Sequence, residues 1–156
     1  TVTRFAQQIS IDYVDKKMVL IGVLKGAFVF LADLIRKLSI PAEIEFMRIA
    51  SYGAGKESSG KIVVTKDVEI SLAGKDALVI EDIVDTGLSL KFLVDHLRAY
   101  NPSSLKVCAL VDKKARREVE VQVDYVGFTI DDGFIVGYGI DFNEQYRTLP
   151  EIFVVE

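Results

Sequence analysis

The run Met18 to Val23 (MVLIGV) contains no polar side chain, and directly after Leu24-Lys25-Gly26 the pattern changes to Phe28, Leu31, Leu34, Ile35 and Leu38 at helical spacing. A strand-length run without polar alternation has no face to show to water, so it must be covered on both sides. The same grammar recurs down the chain. Ser39 to Pro41 closes the helix, and Ala42 to Ser51 reads as a second strand able to run with both faces buried. Ile62 to Thr65 is β-branched, Ala73-Gly74 makes a turn, and Ala77 to Ile80 is a further strand. A helix is expected from about Leu88, with Leu90, Leu93, Val94 and Leu97 on one stripe and Tyr100-Asn101-Pro102 as its stop. Leu105 to Val111 and Tyr125 to Phe128 complete the strands. Apolar strands separated by amphipathic helices predict an α/β fold, a mostly parallel twisted sheet flanked by helices, with ligands beyond the carboxyl ends of the strands. With 156 residues, half of them apolar, and no repeat or linker, one domain over residues 1–156 is expected.

Charge and cysteine usage remove several function classes. Nineteen Lys and Arg against 23 Asp and Glu give a net charge of −4, without a basic run. Bulk attraction to nucleic acid or anionic lipid is therefore disfavoured, and small-molecule partners are expected instead. The single cysteine, Cys108, lies in the apolar stretch Leu105 to Val111 and reads as a buried structural thiol, with no disulfide framework and no cysteine metal site. No apolar run approaches a bilayer span, so a soluble, cytoplasmic protein is expected. The sequence starts at Thr1 rather than at a methionine, which is compatible with further residues upstream, a targeting segment included.

The most informative segment is Ala77 to Ser89 (ALVIEDIVDTGLS). Its strand runs into Glu81 and Asp82, then Asp85, then a hydroxyl and a glycine at a helix start. A helix N-terminus offers free N–H groups and the positive end of its dipole, and glycine allows close approach, so Asp85-Thr86-Gly87-Leu88-Ser89 can cradle a phosphate dianion. Glu81 and Asp82 would repel that anion unless ribose hydroxyls or a hydrated Mg²⁺ lie between. The pattern asks for a sugar phosphate. An ordinary N-cap at Asp85 or Thr86 explains one carboxylate, but not Glu81 and Asp82 at the end of a buried strand, where charges need partners.

Val79 to Ser89 resembles the phosphoribosyl-diphosphate (PRPP) motif of the type I phosphoribosyltransferases, and the likeness extends to the hypoxanthine-guanine members through Leu24-Lys25-Gly26, Ser51-Tyr52-Gly53, Asp112-Lys113, Phe134 to Asp141 and Arg147. The resemblance implies the type I phosphoribosyltransferase fold with a flexible lid hairpin and a small hood. It also implies purine salvage: hypoxanthine or guanine plus PRPP giving IMP or GMP plus pyrophosphate, with Mg²⁺ as cofactor. By the same likeness, Lys25, Gly26 and Arg147 hold pyrophosphate, with Leu24-Lys25 a cis peptide, and Ser51 and Tyr52 belong to the lid over about residues 52–61. Lys113, Phe134, Ile135 and Asp141 surround the purine, Lys113 selecting a 6-oxo group. Glu81, Asp82 and Asp141 lie at the metal, and Asp85 is the catalytic residue. Homodimers or tetramers are expected, with Ile40 to Phe46 or the helix after Gly26 as candidate interfaces.

Other readings are weaker. Gly55 to Lys61 imitates the end of a nucleoside-triphosphate loop, but Ile62 stands where Ser or Thr is required and no helix follows. Gly137-Tyr138-Gly139 lacks the third glycine of a dinucleotide fingerprint, since position 142 is Phe142. Lys114, Arg116 and Arg117 read as a solvated basic face, and His96 as a solvated side chain. A non-catalytic PRPP or nucleotide sensor on the same fold is the alternative function, and the acidic balance argues against one acting on RNA or DNA.

Overall fold

A computed structural model of the chain describes residues 1–52 and 61–155. The first expected strand is β1 (Met18–Val23), buried at every position, and it leads into α2 (Phe28–Ile35). Ahead of it stands α1 (Val2–Asp12), which the sequence reading left unassigned; Phe5, Ala6 and Ile9 are its buried stripe. The chain continues through β2 (Glu43–Tyr52), β3 (Lys61–Lys66), β4 (Asp76–Val84), α3 (Leu88–Arg98), β5 (Ser104–Lys113) and β6 (Tyr125–Ile130). Two short strands end it, β7 (Phe134–Val136) and β8 (Phe153–Val155), paired antiparallel in a separate two-stranded sheet.

The main sheet has the order β3-β2-β1-β4-β5-β6, parallel except for β3 against β2. Its pleat divides the core. Leu20, Leu78, Ile80, Cys108 and Leu110 face α1 and α2, packing with Phe5, Ile9, Phe30 and Leu34. Val19, Ile21, Val79, Val107 and Ala109 face α3 through Leu90, Leu93 and Leu97. The chain leaves β1 toward β2 and later returns to its other side as β4, so the order reverses between β1 and β4. A crevice opens at the carboxyl ends of strands at such a reversal, and it is the place for a ligand.

Three expectations need correction. The second strand is not covered on both faces; only Glu45 and Met47 are buried, because β2 lies next to the sheet edge. The fourth strand runs on to Val84, because its backbone ladder with β5 continues through Glu81–Ala109 and Ile83–Val111 whatever the side chains carry. His96 is not simply solvated, since its Nε2 lies 2.8 Å from Asp67 Oδ2, which also accepts from the Tyr100 hydroxyl at 2.6 Å. Cys108 is fully buried, as expected, and burial pushes its thiol far above the usual range. Among the described residues no helix is long and apolar enough to cross a membrane.

Candidate active site

Glu81 and Asp82 sit inside the last turns of the β4 ladder rather than past it, Glu81 almost wholly buried. The backbone N–H of Asp82 donates to Glu81 Oε1 at 3.2 Å. Burial, and after it the neighbouring Asp82 charge, holds the Glu81 carboxyl well above the usual carboxylate range. On the β1 side of the reversal, the Leu24-Lys25-Gly26 loop closes against this pair. A Cβ on Gly26 would lie 1.8 Å from Asp82 Oδ2, so glycine is what lets the loop touch the carboxylate. The Leu24–Lys25 peptide is cis, as the resemblance implies.

The turn after β4 is shaped by Gly87, whose φ of +86° starts α3 without any side-chain cap. That first turn borders a cavity of about 120 Å³ lined by Glu81, Ile83, Val84, Asp85, Thr86, Gly87, Ser89 and Leu90, and the Leu88 N–H donates to Thr86 Oγ1 at 3.4 Å. Larger hollows lie beside α1 and between α3 and residues 120–124, but no glycine lines either of them. Asp85 Oδ1 is buried with no hydrogen-bond partner, while Oδ2 takes the Arg116 guanidinium at 3.3 Å.

The segment after β5 clamps this turn. Arg117 Nε donates to the Asp85 carbonyl at 2.9 Å, and its Nη2 pairs with the buried Asp112 carboxylate. The Glu118 N–H donates to Thr86 O at 2.9 Å. Lys114 and Arg116 are exposed as expected, but Arg117 is not part of a solvated face; its side chain is 20% exposed because Asp112 beneath it needs a counter-ion. Lys113, at the end of β5, is nearly buried and donates to Gly133 O at 2.9 Å, with Asp132 Oδ1 at 3.4 Å. Phe134 starts β7 and is half exposed, its ring edge-to-face with Phe142 at 5.1 Å, so it is not core; Ile135 beside it is buried.

A third group gathers around Arg147. Its Nη1 donates to Gly139 O at 2.8 Å, and its Nη2 lies 3.1 Å from Asp141 Oδ1 and 3.0 Å from Glu144 Oε1. Glu144 Oε2 accepts from Lys25 Nζ at 2.8 Å, which ties this group to the first loop. The expected metal trio is therefore not a cluster. Glu81 and Asp82 are adjacent, whereas Asp141 is engaged with Arg147 and with the Glu144 N–H at 2.8 Å. Among the described residues no three carboxylate, His or Cys side chains stand as a metal site. Ser51 and Tyr52 end β2, both exposed, and the rest of the expected lid, Gly53 to Gly60, lies outside the described residues.

Sequence reasoning missed Arg117 and Glu144. Asp112 with Arg117, and Glu144 with Arg147 three positions on, are opposite charges close in sequence, which is a usable signal; the link from Glu144 to Lys25 carries none, because it spans 119 positions.

The comparisons agree with this geometry. The phosphoribosyl transferase domain profile matches residues 1–143. The chain is 45% identical to the hypoxanthine-guanine phosphoribosyltransferase of Aquifex aeolicus over 156 residues, 99% of this chain and 88% of that protein. It is 50% identical to the Dictyostelium discoideum hypoxanthine-guanine phosphoribosyltransferase over 153 residues, 96% of this chain and 85% of that one. The crystal structure of a Bacillus anthracis hypoxanthine-guanine phosphoribosyltransferase superposes with a TM-score of 0.93 at 48% identity, covering 99% of this chain and 91% of that one. The sheet reversal between β1 and β4 carries an acidic pair, a glycine-started helix turn and a lysine at the next strand end in a chain matched over nearly all its length, and the chain belongs to the hypoxanthine-guanine phosphoribosyltransferase family.

Proposed function

We propose that this enzyme transfers the phosphoribosyl group of PRPP to hypoxanthine or guanine, giving IMP or GMP and pyrophosphate in purine salvage. The observation that carries the reading is the order of groups along the crevice. A glycine-started helix turn suits the 5′-phosphate, the Glu81–Asp82 pair suits ribose hydroxyls, and Lys25 with Arg147 suits the diphosphate.

The purine stacks on the half-exposed Phe134 ring, with the Ile135 backbone along its edge. Two of the Lys113 ammonium hydrogens are directed at Gly133 O and Asp132, which leaves the third for the purine 6-oxo group. A 6-amino group would bring a donor to that donor, so adenine is refused. The Asp85 carboxylate accepts the N7 proton as N9 attacks the anomeric carbon and the bond to pyrophosphate breaks. The leaving electron pair goes to pyrophosphate, whose charge Lys25, the Gly26 backbone and Arg147 stabilise.

Mg²⁺ fits the donor set. Glu81 and Asp82 are adjacent oxygen donors, the first pushed above the usual carboxylate range by burial and then by its neighbour's charge, a cost that a hydrated cation would relieve. Glu81 and Asp82 would hold it from the ribose side and Asp141 from the pyrophosphate side; when bound, it neutralises the diphosphate. Residues 1–156 act as one transferase unit, in the cytoplasm, where anionic substrates that do not cross membranes unaided are found. Assembly into homodimers or tetramers is supported by the exposed apolar side chains Phe28, Ile35 and Ile44.

The test is nucleotide formation followed by chromatography, with PRPP, Mg²⁺ and, separately, hypoxanthine, guanine, xanthine and adenine. Inosinate and guanylate without adenylate are expected. No product from any base, with PRPP still bound calorimetrically, would replace the transferase with a sensor.

A further inference from the structure

Glu144 occupies the ground on which the reaction's anion must stand. One oxygen of its carboxylate lies 2.8 Å from Lys25 Nζ and the other 3.0 Å from Arg147 Nη2, so a single side chain bridges the two cations assigned above to pyrophosphate. Its placement is built into the backbone. Asn143, Glu144 and Tyr146 all have positive φ, 49°, 62° and 73°, in a reach where such values are rare without glycine. The Glu144 N–H is anchored on Asp141 Oδ2 at 2.8 Å, and Phe142 and Gln145 exchange backbone hydrogen bonds around it. Hydrogen bonds from Lys25 and then Arg147 keep the carboxyl below the usual range, so it is an anion at neutral pH.

With Asp141 also on Arg147, two cations face two carboxylates, and the corner is electrically balanced before any ligand arrives. A diphosphate entering it meets cations already engaged and a carboxylate of its own sign. Glu144 is 63% exposed, so the contact it makes with Lys25 is an exposed ion pair, weak enough to be exchanged. We propose that Glu144 is an affinity-setting residue: its carboxylate stands in for pyrophosphate on Lys25 and Arg147, is displaced when PRPP binds, and returns to those cations to expel the product.

The inference rests on the assignment of Lys25 and Arg147 to pyrophosphate, and the experiment separates the two. Magnesium pyrophosphate inhibition and Michaelis constants are measured on the full chain for the wild type, Glu144→Gln and Lys25→Met. Glu144→Gln keeps the side-chain shape and removes the charge; pyrophosphate should inhibit about three- to tenfold more tightly, roughly the weight of one or two exposed ion pairs. The KM for PRPP should fall with it while that for hypoxanthine stays unchanged, a split that a merely structural change would not produce. Raising salt should narrow the difference from wild type. Pyrophosphate inhibition that is unchanged or weaker in Glu144→Gln, while Lys25→Met weakens it, overturns the role of Glu144 alone. If Lys25→Met leaves pyrophosphate inhibition as it was, the assignment of Lys25 falls and the inference falls with it.

Discussion

Replacing Arg117 by Met tests whether the clamp behind the turn that starts α3 is one electrostatic unit. In the folded chain the Asp112 carboxylate is only 7% exposed, and Arg117 is its close partner; Lys114, mostly in solvent, is 3.9 Å away. Removing the guanidinium strands that carboxylate and also takes a donor from the Asp85 carbonyl. Breaking a buried pair by removing one partner costs about 3–5 kcal/mol, because the remaining charge has lost its compensation. For a chain of this size each kcal/mol lowers Tm by roughly 2–4 °C, so Arg117→Met should melt roughly 6–20 °C below wild type. The double variant Arg117→Met with Asp112→Asn removes the stranded charge and should recover more than half of that loss. Activity should not return with stability, because Asp85 still lacks its backbone anchor. Thermal unfolding and turnover of the wild type, both single variants and the double variant decide it. Additive losses, with the double variant less stable than either single one, would refute the argument that Arg117 is retained to compensate Asp112.

Three further outcomes follow from the same geometry. Gly26→Ala should fold, because the atom its Cβ meets at 1.8 Å is the end of the Asp82 side chain, yet lose PRPP binding as Asp82 is driven out of place; calorimetry with Mg²⁺ and PRPP checks it. Asp85→Asn should lower kcat by roughly 10²–10⁴, the usual weight of a positioned proton acceptor, with little change in the KM for PRPP, and an unaltered kcat removes Asp85 from that role. Tyr125 donates to Asp12 at 2.7 Å, and that hydrogen bond holds the Asp12 carboxyl below its usual range. A depressed carboxylate contributes stability above the unfolded-state value, near 3.9, and loses it as pH falls through the folded one. Tyr125→Phe should therefore cost under about 1 kcal/mol at pH 7, a hydrogen bond to a charge discounted for solvent, and the gap to wild type should close below pH 4 in urea titrations.

What the sequence showed and what it hid divide along a physical line. Periodic elements were legible, because β1 and the stripe of α3 are written in consecutive or i, i+3, i+4 positions. The glycine turn that starts α3 was legible too, since Asp85 to Ser89 is written in one stretch. By contrast, α1 has neither a side-chain cap nor an acidic first turn, and three-residue strands such as β7 and β8 are too short to show a period. The ends of β4 and β5 were underestimated because backbone ladders extend past the point where side chains turn polar. Arg117 and Glu144 were hidden for a different reason: besides a near partner, each meets a group that only the fold supplies, the Asp85 carbonyl 32 positions away and the Lys25 ammonium 119 away.

Those hidden partners explain how so polar a crevice stays folded before substrate arrives. Lys25, Lys113, Arg116 and Arg147, the cations around the crevice, already have internal acceptors in Glu144, Gly133 O with Asp132, Asp85 and Asp141. Substrate binding is then an exchange of partners rather than the rescue of bare charges, which keeps its cost small against the two anions it must admit. Where exchange is incomplete is informative. Among the described residues three buried side-chain atoms lack a partner, and two of them, Asp85 Oδ1 and Arg147 Nε, belong to this crevice. On the proposed assignment the first belongs to the residue that receives the purine's proton and the second to a residue that holds pyrophosphate. A buried polar atom without a partner costs about 1–3 kcal/mol, and stability alone gives no reason to hold two of them in one crevice.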